Sequence, residues 1–181
     1  MKKYINKLKI KEGSSMIEFV NVMLVFIILF VISIELFFIG YKYISVSSFA
    51  NSLTQAVSIQ GGIQPTSPKG YETANVTYLK TSDIMSNIDN LSKSLGQDPS
   101  SITVKMKYQK TDSNGAVSYN TVTIKNGTNI KLDYGNWFEI TVECSLESMV
   151  LGDLVPLDIS NLNIARTKGG VSQFEHSYDL I

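Results

Sequence analysis

The side chains best suited to catalysis or metal binding are few in this sequence. Among its 181 residues there are one cysteine, Cys144, and one histidine, His176. A nucleophilic or metal site needs several such groups close together, and His176 has only Glu175 and Asp179 near it, in a polar C-terminal stretch. The sequence therefore predicts no enzyme, cofactor, metal site or small-molecule substrate. We expect Cys144, which cannot form an intrachain disulfide, to be a small buried residue on a strand.

Two carboxylates stand out because of their apolar surroundings. Glu18 and Glu35 are the only charged residues at positions 16–40, where the sequence reads MIEFVNVMLVFIILFVISIELFFIG. A helix over these positions would be about 37 Å long, which exceeds the ~30 Å apolar thickness of a bilayer. It would also be apolar on all sides, unlike the surface helices of water-soluble proteins. We therefore predict a single membrane-spanning helix.

Each carboxylate has an ordinary explanation. Ser15 and Glu18 have the spacing of a capping box, in which two side chains satisfy backbone N–H groups at a helix start. Glu35 lies near the outer end of the apolar run, where its side chain can extend to water. A carboxylate inside a membrane helix otherwise costs about 2.5–3.5 kcal/mol and usually has a partner. A contact with a polar group or a cation on a neighbouring helix is therefore the alternative role of Glu35.

The charges that flank the apolar run set its orientation. Residues 1–12 contain five lysines and one glutamate, whereas the first cations after the run are Lys42 and Lys69. By the positive-inside rule the N-terminus stays in the cytoplasm, and the chain from about residue 41 onward is exported. Because the formal net charge of the whole chain is zero, the exported part is acidic. An acidic domain argues against nucleic acid as a partner.

The residues before the apolar run form a pattern of their own. A basic leader ends at Gly13, and in KEGSSMIEF, counted from Ser14, Glu18 is the fifth residue and Phe19 the sixth. This pattern resembles the precursors of type IV pilin-like proteins, and most closely the TadE-like pseudopilins of the Tad (Flp) pili. The resemblance covers residues 8–62 and includes Glu35 near the end of the membrane helix.

This resemblance implies a function in assembly. A prepilin peptidase would cut between Gly13 and Ser14, and the new amine of Ser14 would neutralise Glu18 on the same or a neighbouring subunit. Phe19 and Glu35 would contribute to assembly. The implied partners are membrane lipid, other pilin-like subunits and an inner-membrane assembly platform. The mature protein would be a minor pilin or pseudopilin subunit of a Tad-like pilus or secretion apparatus. It would cross the cell membrane once or lie in a cell-surface filament.

A second function stays open on the same residues. The helix would then be only a signal anchor, and the exported domain would bind a cell-wall or host component. In both cases we predict an α+β fold, in which one long membrane-spanning helix continues into an extracytoplasmic β-rich domain with one short helix. The predicted segments are a cleaved leader at 1–13, the helix at 14–60, a linker at 61–70, the domain at 71–170 and a tail at 171–181.

Periodicity gives the elements of the domain. Apolar residues at three- and four-residue steps extend the long helix beyond the membrane: Val46, Phe49, Ala50, Leu53, Ala56 and Val57. We predict a short strand at 71–78, a helix at 83–95 capped by Thr81 or Ser82 and ended by Gly96, and strands at 102–108, 117–124, 129–133, 137–145 and 159–166. We expect the single tryptophan, Trp137, to anchor the core.

Overall fold

One long helix carries a β-sheet domain on its second half, which confirms the predicted α+β class. The computed structural model describes residues 2–68, 71, 77–112, 114–145 and 163–173, with side chains from Ser15 onward. The elements in chain order are α1 (Lys2–Gln60), β1 (Gly62–Ile63), α2 (Thr81–Leu95), a 3-10 turn (Pro99–Ser101), β2 (Ile102–Thr111), β3 (Val117–Thr123), β4 (Ile130–Lys131), β5 (Trp137–Ser145) and β6 (Asn163–Val171).

Helix α1 is continuous and begins earlier than predicted. It runs from Lys2 through Gly13 without a break, whereas the sequence placed its start at Ser14. A single glycine costs a helix only about 1 kcal/mol, and the segment contains no proline, so the leader has no stop signal. The other end agrees with the prediction, because Gly61 has a positive φ of 70° and follows the last helical residue.

The apolar stripe predicted on the second half of α1 forms the helical side of the core. Val46, Ala50, Leu53 and Val57 are at most 1 % exposed, and Phe49 is partly buried against the same core. This face packs against β5 and β6. The first half of α1 has no such cover, and the helix is long and apolar enough to span a membrane.

Four antiparallel strands in the order β3-β2-β5-β6 make the main sheet. In this register Val142 on β5 lies between Val104 on β2 and Arg166 on β6. Strand β5 alternates between its two faces, as a half-buried strand should. Its inward residues are Phe138, Ile140, Val142 and Cys144, all 0 % exposed. The expectation that Cys144 is a buried residue on a strand is therefore confirmed.

Trp137 does not anchor the core, so that prediction is wrong. Successive side chains of a strand point to opposite faces, and Trp137 shares its parity with Glu139, Thr141 and Glu143 on the outer face. It is partly buried there, and its ring meets that of Tyr119 edge-on at 6.0 Å. Its neighbour Phe138 takes the central position in the core.

The start of the predicted linker belongs to the core. Gly62 and Ile63 form β1, which pairs with β4 through Gly62–Lys131 and Ile63–Ile130. Gly62 has φ +142°, and a Cβ at this position would fall on the carbonyl oxygen of Ile130. Only glycine permits this close approach. The sequence does not reveal the pairing, because it depends on a strand that follows far along the chain.

Gln60 holds the end of α1 to the segment before α2. It is 2 % exposed, and its Nε2 donates to the carbonyl of Gly62 at 2.7 Å and to that of Leu79 at 3.1 Å. The backbone N–H of Leu79 donates in return to Gln60 Oε1 at 3.0 Å. One buried side chain thereby satisfies three backbone groups that helix and sheet leave unpaired.

Helix α2 ends as predicted and begins differently. Gly96 adopts the left-handed conformation after Leu95. At the start, Lys80 is the capping residue, and its backbone N–H donates to the Asp83 carboxylate at 3.0 Å. The predicted cap Thr81 instead donates from its hydroxyl to the carbonyl of Thr128 at 3.0 Å.

Two predicted strands fall partly outside the described residues. Most of the predicted strand at 71–78 lies outside the described residues, as do positions 159–162 of the last predicted strand. That last strand appears as β6, shifted along the chain to Asn163–Val171. Ser172 is 1 % exposed, so the folded domain extends beyond residue 170, where the sequence placed its end.

Candidate assembly site on the first helix

The predicted cleavage position lies inside a helix. Gly13 and Ser14 are both within α1, and their side chains fall outside the described part of the structure. The backbone alone therefore places them: one turn before Glu18, on the same continuous helix.

Glu18 and Phe19 are exposed on the apolar half of α1. Every described residue from 15 to 30 is exposed, and Phe19 is 61 % exposed. Because the helix runs through Ser15 without a break, Ser15 and Glu18 do not form a capping box at a helix start. Glu18 is instead a carboxylate on a helix surface whose neighbours are almost all apolar.

Glu35 lies apart from Glu18, about 26 Å further along α1. It is 5 % exposed, so it neither extends to water nor faces outward toward another helix. It lies on the stripe that continues through Ile39, Lys42 and Val46 toward the sheet, at steps of three and four residues. Glu35 is therefore a buried residue on the face of α1 that turns toward the domain.

Two cations lie near this part of α1, and the sequence analysis predicted no contact between either of them and the domain. Lys42, two turns after Glu35, is 4 % exposed. Arg166 on β6 stacks on Tyr43 of α1, with 3.5 Å between its Cζ and the ring centroid. Glu35 and Lys42 are seven residues apart, so the sequence alone indicates that they share one face of the helix. The Arg166–Tyr43 contact depends on the packing of β6 against α1 and has no local signal.

Cys144 shares a small polar cluster with Gln97. Its Sγ–H donates to Gln97 Oε1 at 2.9 Å, and Gln97 Nε2 donates to the carbonyl of Ser145 at 2.7 Å. Burial raises the pKa of the Cys144 thiol, an effect that the nearby charge of Lys42 partly offsets. A protonated, fully buried thiol is a packing group and a poor nucleophile.

The outer face of the sheet carries a group of rings around one cation. Lys107 Nζ lies 5.6 Å from the centroid of the Tyr119 ring and 6.0 Å from that of Trp137. Such contacts contribute about 0.5–1 kcal/mol at exposed sites. On the same face Lys105 Nζ pairs with Glu143 at 2.7 Å, between two partly exposed side chains. No described element covers this face.

A groove of about 400 Å³ separates α1 from α2 and offers little chemistry. Phe49, Leu53 and Tyr78 form much of its lining, and its one carboxylate, Asp83, caps α2. Burial raises the pKa of the Tyr78 phenol, and the ring of Tyr71 meets it edge-on at 5.0 Å. Among the residues described, no group of three or more His, Cys, Asp or Glu could hold a metal ion.

No protein-family model, no curated protein and no solved structure matches the chain.

Proposed function

We propose that this chain is a minor pilin or pseudopilin subunit of a Tad-like type IV pilus or secretion apparatus. It is made as a membrane-spanning precursor with a cytoplasmic basic leader, and a prepilin peptidase cuts it between Gly13 and Ser14. The mature subunit then assembles with other pilin-like subunits through α1, while its sheet domain is extracytoplasmic.

The division of α1 into two halves is the observation that carries this proposal. Residues 15–30 are exposed on every side of the helix, although nearly all of them are apolar. From Val46 to Val57 the same helix forms the core of a sheet domain. An exposed apolar rod requires lipid or other rods around it, and its fusion to a folded domain is what a subunit held together by its helices needs.

In the proposed assembly, Glu18 pairs with the amine that cleavage creates. A carboxylate on an apolar helix costs about 2.5–3.5 kcal/mol in the middle of a bilayer. Cleavage after Gly13 creates an amine one helical turn, or about 6 Å, away from Glu18. Ion pairing between this amine and Glu18 of the same or an adjacent subunit offsets the cost, since attraction between charges is strong where water is excluded.

Processing is tested by the mass of the protein extracted from membranes of cells that express a matching prepilin peptidase. We expect the wild-type chain to lack residues 1–13 and Gly13→Ala to retain them. Gly40→Ala is the matched control, because a Cβ at Gly40 meets no atom within 4 Å and the residue lies far from the cut. An intact wild-type chain, or normal cleavage of Gly13→Ala, would contradict the proposal.

Assembly is tested separately from cleavage. Glu18→Gln keeps the shape of the side chain and removes its charge, so we expect normal cleavage but loss of subunits from the sheared filament fraction. Asn21→Ala, an exposed polar position one turn further along α1, serves as the control. Normal assembly of Glu18→Gln would show that the charge of Glu18 has no role.

The open outer face of the sheet favours a second candidate function, that of an anchored surface-binding protein. Tyr119 is 58 % exposed and lies beside Lys107 and Trp137, as a binding surface would require. In this case α1 is only a tether, and an unrelated apolar helix in place of residues 14–34 would preserve function. The replacement stops before Glu35, because that residue is buried and belongs to the helix face that continues into the domain core. Loss of function in this chimera favours assembly through α1.

A further inference from the structure

The base of the sheet meets α1 where the apolar run ends. Strand β6 runs in the same direction as α1, since Arg166 lies beside Tyr43 and the backbone of Gly170 beside Thr54. Ile39 packs against the domain core. No linker therefore separates the domain from the apolar half of α1, and the first residues of β6 lie level with residues 39–43.

The length of α1 places this level in the headgroup layer of a bilayer. This step rests on the proposed insertion of α1. Residues 19–38 cover about 30 Å, the thickness of the hydrocarbon core, and the headgroup layer adds about 5–7 Å on each side. Tyr41 and Tyr43, each 46 % exposed, follow directly, and tyrosine is enriched at this depth. Helical side chains tilt toward the N-terminus, so both rings lean toward the bilayer.

Arg166 presents a guanidinium at the same level. Tyr43 covers one face of it, and within the described residues Arg166 makes no hydrogen bond or ion pair. The faces of β5 and β6 that point toward α1 carry Arg166 and Lys168 and, among their described residues, no carboxylate. The Nε of Arg166 is buried without a partner, whereas its two terminal nitrogens are not buried. These two nitrogens are therefore the donors left for an anion, and phosphate is the anion that their planar fork fits.

We propose that Arg166 binds the phosphate of an anionic phospholipid in the extracytoplasmic leaflet, and that the sheet domain rests directly on the bilayer through this contact. Tyr43 positions the guanidinium, and Lys168 lies two residues, about 7 Å, further along β6 and away from the headgroup level. The height of the domain above the membrane is then fixed before the subunit assembles.

Depth measurements on the full chain in phosphatidylcholine vesicles with added phosphatidylglycerol test the position of the domain. Cys144→Ser removes the buried native thiol, and Ala165→Cys or Val171→Cys then gives one exposed site for a spin label. The two sites lie on the same strand, about 20 Å apart along it. We expect the label at 165 at headgroup depth and the label at 171 in bulk water. A label at 165 in bulk water would overturn the proposal.

Lipid retention tests the role of Arg166 itself. In native mass spectrometry of the detergent-extracted chain, we expect Arg166→Gln to reduce the fraction that carries phosphatidylglycerol by about tenfold. Lys168→Gln is the control and retains the lipid, while Arg166→Lys keeps the charge and loses less than Arg166→Gln. Equal retention by Arg166→Gln and the wild type would overturn the lipid contact. Failure of the chain to float with vesicles would instead overturn the proposed membrane insertion, so the two failures are distinguishable.

Discussion

Substitution of Gly170 by alanine tests the packing of the sheet on α1. A Cβ at this position would lie 2.7 Å from Cζ and 3.0 Å from Cε1 of Phe138, and 3.2 Å from Cγ2 of Thr54. Carbon atoms in contact prefer about 3.5–4.0 Å. Phe138 is 0 % exposed and Thr54 is 8 % exposed, so neither side chain has free space to move into.

The magnitude follows from two opposing effects. Extra volume in a close-packed core costs about 1–3 kcal/mol. Replacement of glycine by alanine also restricts the unfolded chain, which stabilises the folded state by about 0.4–1 kcal/mol. We therefore expect Gly170→Ala to lower the free energy of unfolding by about 1–2 kcal/mol, or Tm by roughly 5–10 °C. At the adjacent Gly169 the nearest atoms would be 3.6 and 3.7 Å from a Cβ. Gly169→Ala should therefore be neutral or slightly stabilising.

Urea unfolding of the full chain in detergent micelles measures this difference, with the fluorescence of the single tryptophan, Trp137, as the signal. Phe138→Leu replaces the ring that the new methyl group would meet with a smaller side chain. The loss of stability caused by Gly170→Ala should therefore be smaller in that background. Equal stability of the two alanine variants would refute the reasoning. So would an unchanged cost of Gly170→Ala in the Phe138→Leu background.

The remaining predictions concern three buried polar groups. Gln60→Leu leaves buried backbone groups of Gly62 and Leu79 unpaired and should cost more than about 2 kcal/mol in the same urea assay, whereas Gln55→Leu, at an exposed position of α1, should cost almost nothing. Burial raises the pKa of Tyr78 above its ordinary value of 10.0, so its contribution to stability is present below about pH 10 and is lost as the pH rises through the folded-state pKa. Tyr78→Phe should therefore weaken the alkaline decline of the urea midpoint, and an unchanged slope would contradict this. The thiol of Cys144 should react with iodoacetamide at least about tenfold more slowly in the folded chain than in urea, and equal rates would show that it is accessible.

The elements with strong local patterns were predictable from the sequence. The three- and four-residue steps from Val46 to Val57 identify the buried face of α1, and Gly96 ends α2 where its pattern stops. The hairpin of β2 and β3 follows from alternation and from its turn, where Asp112 Oδ1 accepts from the backbone N–H of Asn114 at 2.9 Å. These features depend on residues close together in the chain.

One error went against a local pattern, and the others arise where distant residues decide the structure. Strand parity alone groups Trp137 with glutamates on the outer face, although we expected its large side chain in the core. The β1–β4 pair requires Gly62 to approach Ile130 closely, and no neighbouring residue signals this. Glu35 is buried on the same helix face as Lys42 and Val46, so the buried face of α1 begins earlier than the helical pattern indicated.

The absence of a break in α1 has a mechanical consequence. The helix enters the sheet core as the same rod that begins at Lys2, with no glycine pair, proline or loop between Tyr41 and Gln60. A force or torque applied at the N-terminal end of α1 is therefore transmitted to the sheet through the side chains from Val46 to Val57. The domain cannot rotate independently of the helix. Any machine that lifts or rotates this rod lifts and rotates its head with it, and only a load large enough to pull the core apart would separate them.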